Sequence, residues 1–231
     1  MPDDLGLRAV KKRETRRLLG EAAWELFAAR GFDNVTVAEI ARAAMVSEKT
    51  VFNYFPTKED LFFTRLEEFA ERLVEAVRDR EPGEAALVAV RRYLLRSQGL
   101  LAAAASGDAA ALDRLRTVNR VITESRALQA RERQALADAA TALAGELASE
   151  PGVGEVQAHV AANALIGVHR ALIDHTRARI LNGAEPAAVA AEVKTLGRRA
   201  FVLLADGLGD FAIAGRRRRR SSSTPPSDRP A

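Results

Sequence analysis

Four residues in one short segment carry side chains able to read a hydrogen-bonding surface: Lys49, Thr50, Asn53 and Tyr54. The segment follows Ser47, a good helix N-cap, and places its apolar residues Val51 and Phe55 four apart on one face. The four polar residues fall on the outer positions. Residues 8–58 hold ten Lys/Arg against six Asp/Glu, so the flank is basic. A short polar helix beside a basic flank is the profile of an element that enters a nucleic-acid groove. Other chemistries find less support. The chain has no cysteine, which excludes a disulfide scaffold, a thiolate nucleophile and a thiolate metal site. His159, His169 and His175 are spaced ten and six apart, not the i,i+4 of a helical metal pair. No serine elbow and no phosphate-cradling glycine loop occurs, and Asp174-His175 alone is not a catalytic constellation. No catalytic residue, metal site or cofactor is expected, and the chain does not read as an enzyme.

Helices must position those residues. Arg13 to Arg30 repeats apolar residues in two adjacent rows, Leu18/Ala22/Leu26 and Leu19/Ala23/Phe27. Gly31 suits the left-handed position after that helix, with Phe32 folding back as its apolar contact. Thr36-Val37-Ala38-Glu39 is a capping box, opening a helix that buries Val37, Ile40, Ala41 and Ala44. Residues 36–55 thus read as helix, tight turn, helix. Pro56 ends the second helix, and Thr57 with Asp60 starts a long one, Lys58 to about Arg80. Helical patterns then run through 85–101, 108–121, 127–148, 156–181 and 187–208, and none alternates like a strand. Nine of the twelve aromatics lie between Trp24 and Phe69 and none between Leu94 and Ala200, and this shift of composition near residue 80 supports a domain boundary.

The net charge of +4 needs locating. Residues 216–231 hold six arginines and one aspartate, so the residues before them sum to −1 (+4 less +5). A mildly acidic body argues against a sequence-independent, architectural DNA protein. The Arg-, Ser- and Pro-rich end is expected to be disordered. The N-terminus has no apolar signal region, and strongly apolar stretches such as Leu100 to Ala105 run only six residues, so a soluble cytoplasmic protein with no membrane partner is expected.

The string Gly31-Phe32, Thr36-Val37-Ala38-Glu39-Ile40-Ala41 and Val46-Ser47-Glu48-Lys49-Thr50-Val51-Phe52-Asn53-Tyr54-Phe55-Pro56-Thr57-Lys58-Glu59-Asp60-Leu61-Phe62 resembles the DNA-binding domain of TetR-like transcription regulators. The resemblance covers about residues 13–73, roughly a quarter of the chain. It implies an all-α fold: an N-terminal three-helix helix-turn-helix domain followed by a helical bundle that binds an effector and dimerises. The divisions expected are an arm (1–12), the DNA-binding domain (13–73, motif 36–55), the bundle (74–213) and the tail (214–231). It further implies that Thr36 and Ser47 meet phosphates, in keeping with the positive end of a helix dipole. Lys49, Thr50 and Asn53 fall where relatives read base edges, and Tyr54 and Lys58 where they touch the backbone. Phe52 stands where many relatives carry a phosphate-binding Tyr, and Lys49 where Gly is frequent.

The implied partners are a palindromic double-stranded operator, a second copy of the chain and a small-molecule effector that releases a repressor from DNA. Pairing is expected through 156–181 and 187–208, which are rich in Ala and Leu. The stretch without aromatics suggests a pocket walled by Leu, Val, Ile and Ala, suited to an acyl-type ligand, with Arg120, Arg126 or His169 as head-group partners. Lys11, Lys12, Arg13, Arg16 and Arg17 are expected to flank the DNA as a basic arm.

Overall fold

The computed structural model describes residues 3–63, 66–96 and 99–207. Among these it has eleven helices and no strand: α1 (Asp3–Arg30), α2 (Val37–Ala43), α3 (Glu48–Tyr54), α4 (Lys58–Phe62), α5 (Leu66–Arg78), α6 (Ala86–Arg96), α7 (Gly99–Ala105), α8 (Ala109–Glu124), α9 (Arg126–Ala148), α10 (Glu155–Leu181) and α11 (Pro186–Asp206). The Arg-rich tail lies outside the described residues.

Two hydrophobic cores organise the chain. In the first, Leu19, Ala23 and Phe27 of α1 pack with Phe32, Val35, Ile40, Ala41, Val51, Phe55 and Leu61. Of the two apolar rows on α1, the 19/23/27 row is the buried one, while Leu18 is exposed. Gly31 takes φ +78°, its N–H donates to the Phe27 carbonyl at 2.9 Å, and Phe32 turns back to 5.0 Å from the Phe27 ring. Only glycine adopts that dihedral without strain. The helix begins at Asp3, so most of the segment expected as an arm continues α1.

The second core belongs to α5–α11. α9 and α10 pack side by side, α5 lies against α9 and α6, and α11 against α10, α6 and α7. α6 ends at Arg96 and α7 starts at Gly99, whose φ of +44° is not helical, so the expected 85–101 helix is divided.

The long helix expected from Lys58 to Arg80 is also divided. Phe63 leaves helical dihedrals (φ −98°, ψ +47°). Leu61 belongs to the first core, Leu73 and Val77 to the second. The Phe62 and Phe63 rings meet at the break, 5.1 Å apart and nearly perpendicular. Among the described residues, the change of core falls between Phe63 and Phe69.

The first core is closed by the bundle itself. Val121, Ile122 and Leu128, from α8 and α9, are buried in it. Polar ties cross the same seam. Ser125 donates to Asp33 at 2.9 Å, Arg120 to the Ala28 carbonyl at 3.2 Å, and Arg131 pairs with Asp60 at 2.9 Å. No helix among the described residues is long and apolar enough to cross a membrane.

Candidate nucleic-acid interface

α2 and α3 are seven residues each, too short to be stable alone. Caps and the shared core hold them. Thr36 accepts from the Glu39 N–H, and the Glu39 carboxylate receives both the Thr36 N–H and its hydroxyl at 2.8 Å. Arg30 donates to the other Glu39 oxygen at 2.8 Å. These bonds, the Thr36 backbone N–H foremost, lower the Glu39 pKa to about 2. The start of α2 therefore carries a fixed negative charge, and a phosphate reaches Thr36 only by displacing it.

Between the helices the chain turns at Ala44–Val46. Met45 takes φ +55°, a left-handed conformation uncommon for a side chain of its size, and stands 92% exposed. The Val46 N–H donates to Ala41 at 2.9 Å and closes the turn. Ser47 then caps α3, accepting from the Thr50 N–H at 3.1 Å, with the two hydroxyls 2.8 Å apart. Thr50 is thus tied back to the cap and half-buried.

Val51 and Phe55 anchor α3 in the core without exposure. Arg16 of α1 fastens its other end: it donates to the Tyr54 carbonyl at 3.0 Å and stacks 4.5 Å from the Phe55 ring centre. Arg17 bridges Glu14 and Glu21. Of the expected basic arm, Arg16 is thus a tie between helices, whereas Lys11 and Lys12 are exposed. The outward surface of α3 consists of Glu48, Lys49, Phe52 and Asn53, with Tyr54 half-buried at its edge. Lys49 and Asn53 share one face, and Phe52 beside them is 47% exposed.

Lys58 stands apart from this group. Its ammonium sits 4.2 Å from the Phe32 ring centre and 5.9 Å from that of Phe27. Burial pushes its pKa down, against the pull of Asp33, Glu59 and Glu39. The expected backbone contact finds this side chain turned onto the aromatic core. Spacing placed Lys58 at the start of a helix but could not show where its four-carbon stem lies.

Behind the interface, the bundle holds a cavity of about 340 Å³. Leu94, Leu115, Ile122 and Leu172 contribute apolar wall, and Phe63 reaches in from the end of α4. Asn119, Glu132 and Arg177 form its polar end. Arg177 pairs with Glu132 at 2.6 Å and donates to Asn119 at 3.3 Å, while Asn119 donates to the Leu115 carbonyl at 2.8 Å. None of these three was singled out from sequence. Asn119 shares an i,i+3,i+4,i+7 stripe with Leu115, Val118 and Ile122, which was the available signal. Of the three expected head-group partners, only His169 lines the cavity. Its ring stacks on Phe69 at 4.6 Å, and burial lowers its pKa to about 4, so it is neutral at pH 7. Arg120 faces Glu124 and the α1 carbonyl, and Arg126 is on the surface. His175 pairs with Glu192, away from His169. No group of three potential metal ligands converges among the described residues.

Residues 19–64 match the family described as bacterial regulatory proteins, tetR family. The chain is 38% identical over 89 residues to the HTH-type transcriptional regulator TcmR of Streptomyces glaucescens, covering 38% of this chain and 39% of that protein. It is 54% identical over 61 residues to the HTH-type transcriptional regulator LuxR of Vibrio harveyi, covering 23% of this chain and 30% of that protein. The matches thus span well under half of either relative. Among solved structures, the chain resembles NalD of Pseudomonas aeruginosa, described as the secondary repressor of the MexAB-OprM multidrug efflux pump. The TM-score is 0.52 at 20% identity, over 81% of this chain and 97% of that one, which is a likeness of fold.

Proposed function

Taking the chain as a member of the tetR family of bacterial regulatory proteins through its N-terminal DNA-binding domain, we propose that it is a sequence-specific repressor that leaves its operator when a small effector fills the bundle. The observation that carries the reading is α3: Val51, Phe55, Ser47 and Arg16 hold it rigidly, while Lys49, Phe52 and Asn53 face outward. Asn53 is the candidate for a bidentate contact to adenine, Lys49 for guanine O6/N7, and Phe52 for a thymine methyl. Ser47 and Tyr54 flank this face as phosphate contacts, and Thr50 supports it through Ser47. Thr36 joins only where a phosphate outcompetes Glu39. To Lys58 we assign the packing of α4 on Phe32 in place of a phosphate contact.

Two copies are needed to read a palindrome. Val156, Val160 and Val202 are 77%, 66% and 53% exposed on α10 and α11, and a groove of about 610 Å³ runs beside Val156, Val160 and Leu204. Pairing these helices in a four-helix arrangement removes that apolar surface from water and sets two copies of α3 one helical turn apart. A dimer of about 50 kDa, twice 25.0 kDa, is the expected species in light scattering.

Phe63 supplies the link between effector and DNA. Its ring borders the cavity and packs on Phe62, which contacts Trp24, Phe27 and Phe32. A ligand that needs more room displaces Phe63, moves α4, and changes the spacing of the recognition helices. The ligand must bind the displaced state more tightly than the DNA-bound one, or it shifts nothing. The mostly aliphatic walls favour an acyl-type effector, its polar end toward Asn119 and Arg177.

Selection of bound sequences from random DNA tests the reading, followed by affinities on the selected and scrambled duplexes. A preference for one palindromic sequence is expected. Equal affinity for all duplexes would overturn it.

A further inference from the structure

A second concentration of positive charge lies away from α3, between α6 and α11. The two helices meet at Gly197. A Cβ there would stand 2.5 Å from Leu95 Cδ2 and 3.3 Å from Leu172 Cδ1, so the missing side chain lets them lie directly on each other. This close approach brings two cationic rows to one cleft of about 800 Å³: Arg91, Arg92 and Arg96 from α6, Lys194 and Arg198 from α11.

Arg92 pairs with Glu84. Among the described residues, no carboxylate is within ion-pair range of Arg91, Arg96, Lys194 or Arg198. Two pairs, Arg92/Arg96 and Lys194/Arg198, are like charges at i,i+4, a spacing that disfavours the helix. The cluster is not part of a general excess, because the residues before the tail sum to −1 (+4 less +5). A concave surface lined by one sign of charge focuses its field and gathers counter-ions. Four of the five cations are arginines, whose planar forks match phosphate oxygens in pairs.

We propose that the α6–α11 cleft binds a small anion bearing two or more linked phosphates. A single carboxylate engages one fork and leaves the other cations repelling one another. A diphosphate or triphosphate group spans both rows and offsets their charge together. The site is separate from the aliphatic cavity and from α3, and the inference does not depend on DNA binding.

The test is calorimetric titration of the full chain with inorganic tripolyphosphate at constant ionic strength, in parallel with adenosine triphosphate and citrate. Saturable tripolyphosphate binding is expected, with citrate much weaker. Arg91→Gln/Arg198→Gln should weaken it roughly a hundredfold, since each of the two charged hydrogen bonds lost is worth about tenfold. Affinity for the selected DNA should stay unchanged, and the melting temperature should hold or rise slightly as like charges at i,i+4 are relieved. Arg96→Gln/Lys194→Gln provides a second, independent removal of charge from both rows, with the same expectation. Lys11→Gln/Lys12→Gln removes equal charge elsewhere and should have little effect. Adenosine triphosphate binding like tripolyphosphate assigns recognition to the phosphates alone; tighter binding adds the nucleoside. Non-saturable heats, citrate binding as tightly as tripolyphosphate, or equal losses in the cleft and Lys11/Lys12 variants would overturn the proposal.

Discussion

In the N-terminal core the short helices are closed by side chains three residues from their partners: Thr36 with Glu39, Ser47 with Thr50, Thr57 with Asp60. In the bundle, α8 and α9 keep such caps at Asp108 and Ser125, but α10 and α11 run 27 and 21 residues with no N-cap side chain accepting from the helix, and only Gln157 reaches back to the Gly154 N–H. The cores differ as well. The first is built on Phe27, Phe32 and Phe55, the second on Leu, Val, Ile and Ala with Phe201. Helices of five to seven residues cannot hold themselves together, so local bonds and large rings must do so. Long helices need only their packed faces. A reading head is thereby made rigid by nearby residues, and a ligand chamber by distant ones.

The most severe way to break this contrast is Phe27→Ala, which removes a fully buried ring and should cost about 3–5 kcal/mol. Because Val121, Ile122 and Leu128 close the same core, one cooperative urea transition is expected. Two separated transitions would show that the reading head unfolds on its own.

The bundle should respond to pH through His169. Its pKa falls from 6.5 to about 4 on folding, so the ring is neutral in the folded state across that window. The contribution is complete above pH 6.5. It declines as the pH drops toward 4, where the unfolded ring is protonated and the folded one is not. The full loss is roughly 3 kcal/mol. His169→Gln should flatten that part of a stability–pH curve measured by denaturant titration; an unchanged slope would remove His169 as its source.

Asn53→Ala tests the head's surface rather than its scaffold. It should cost about 1–3 kcal/mol on the selected DNA, little on scrambled DNA, and nothing in thermal stability. Equal weakening on both duplexes would reduce Asn53 to a backbone contact. Ser47→Ala should lower stability by about 1 kcal/mol in chemical denaturation through loss of the α3 cap, and it also frees Thr50. The smallest effect is expected at the turn. Met45→Gly should raise stability by about 0.5 kcal/mol, since relief of the left-handed strain outweighs the added unfolded-state entropy. A destabilised glycine variant would mean that Met45 is held there by contacts.

How much of the site was legible follows from the distance over which each feature is decided. Ser47, Thr50 and Val51 interact within one helical turn, so spacing was enough to orient α3. The place of the Lys58 ammonium is decided over a longer range, because the ring it meets, Phe32, is 26 positions earlier and its long stem can swing either way. Arg120 and Arg126 were named for their charge, yet charge alone says nothing about which side of α8 or α9 faces a cavity. Arg177 does face it, and its partners Glu132 and Asn119 lie 45 and 58 positions away.

By itself, the chain's order of residues determined the helical fold class, the caps, the helix-turn-helix and the polar face of α3. All of these depend on hydrogen bonds and periodicities within a few residues. Tertiary structure alone decided which α1 row is buried, where the helix after Pro56 breaks, and which polar groups enter the cavity. It also decided that α6 and α11 press their arginines into one cleft. Those outcomes depend on how separate apolar faces are matched in space, and no local spacing encodes that matching.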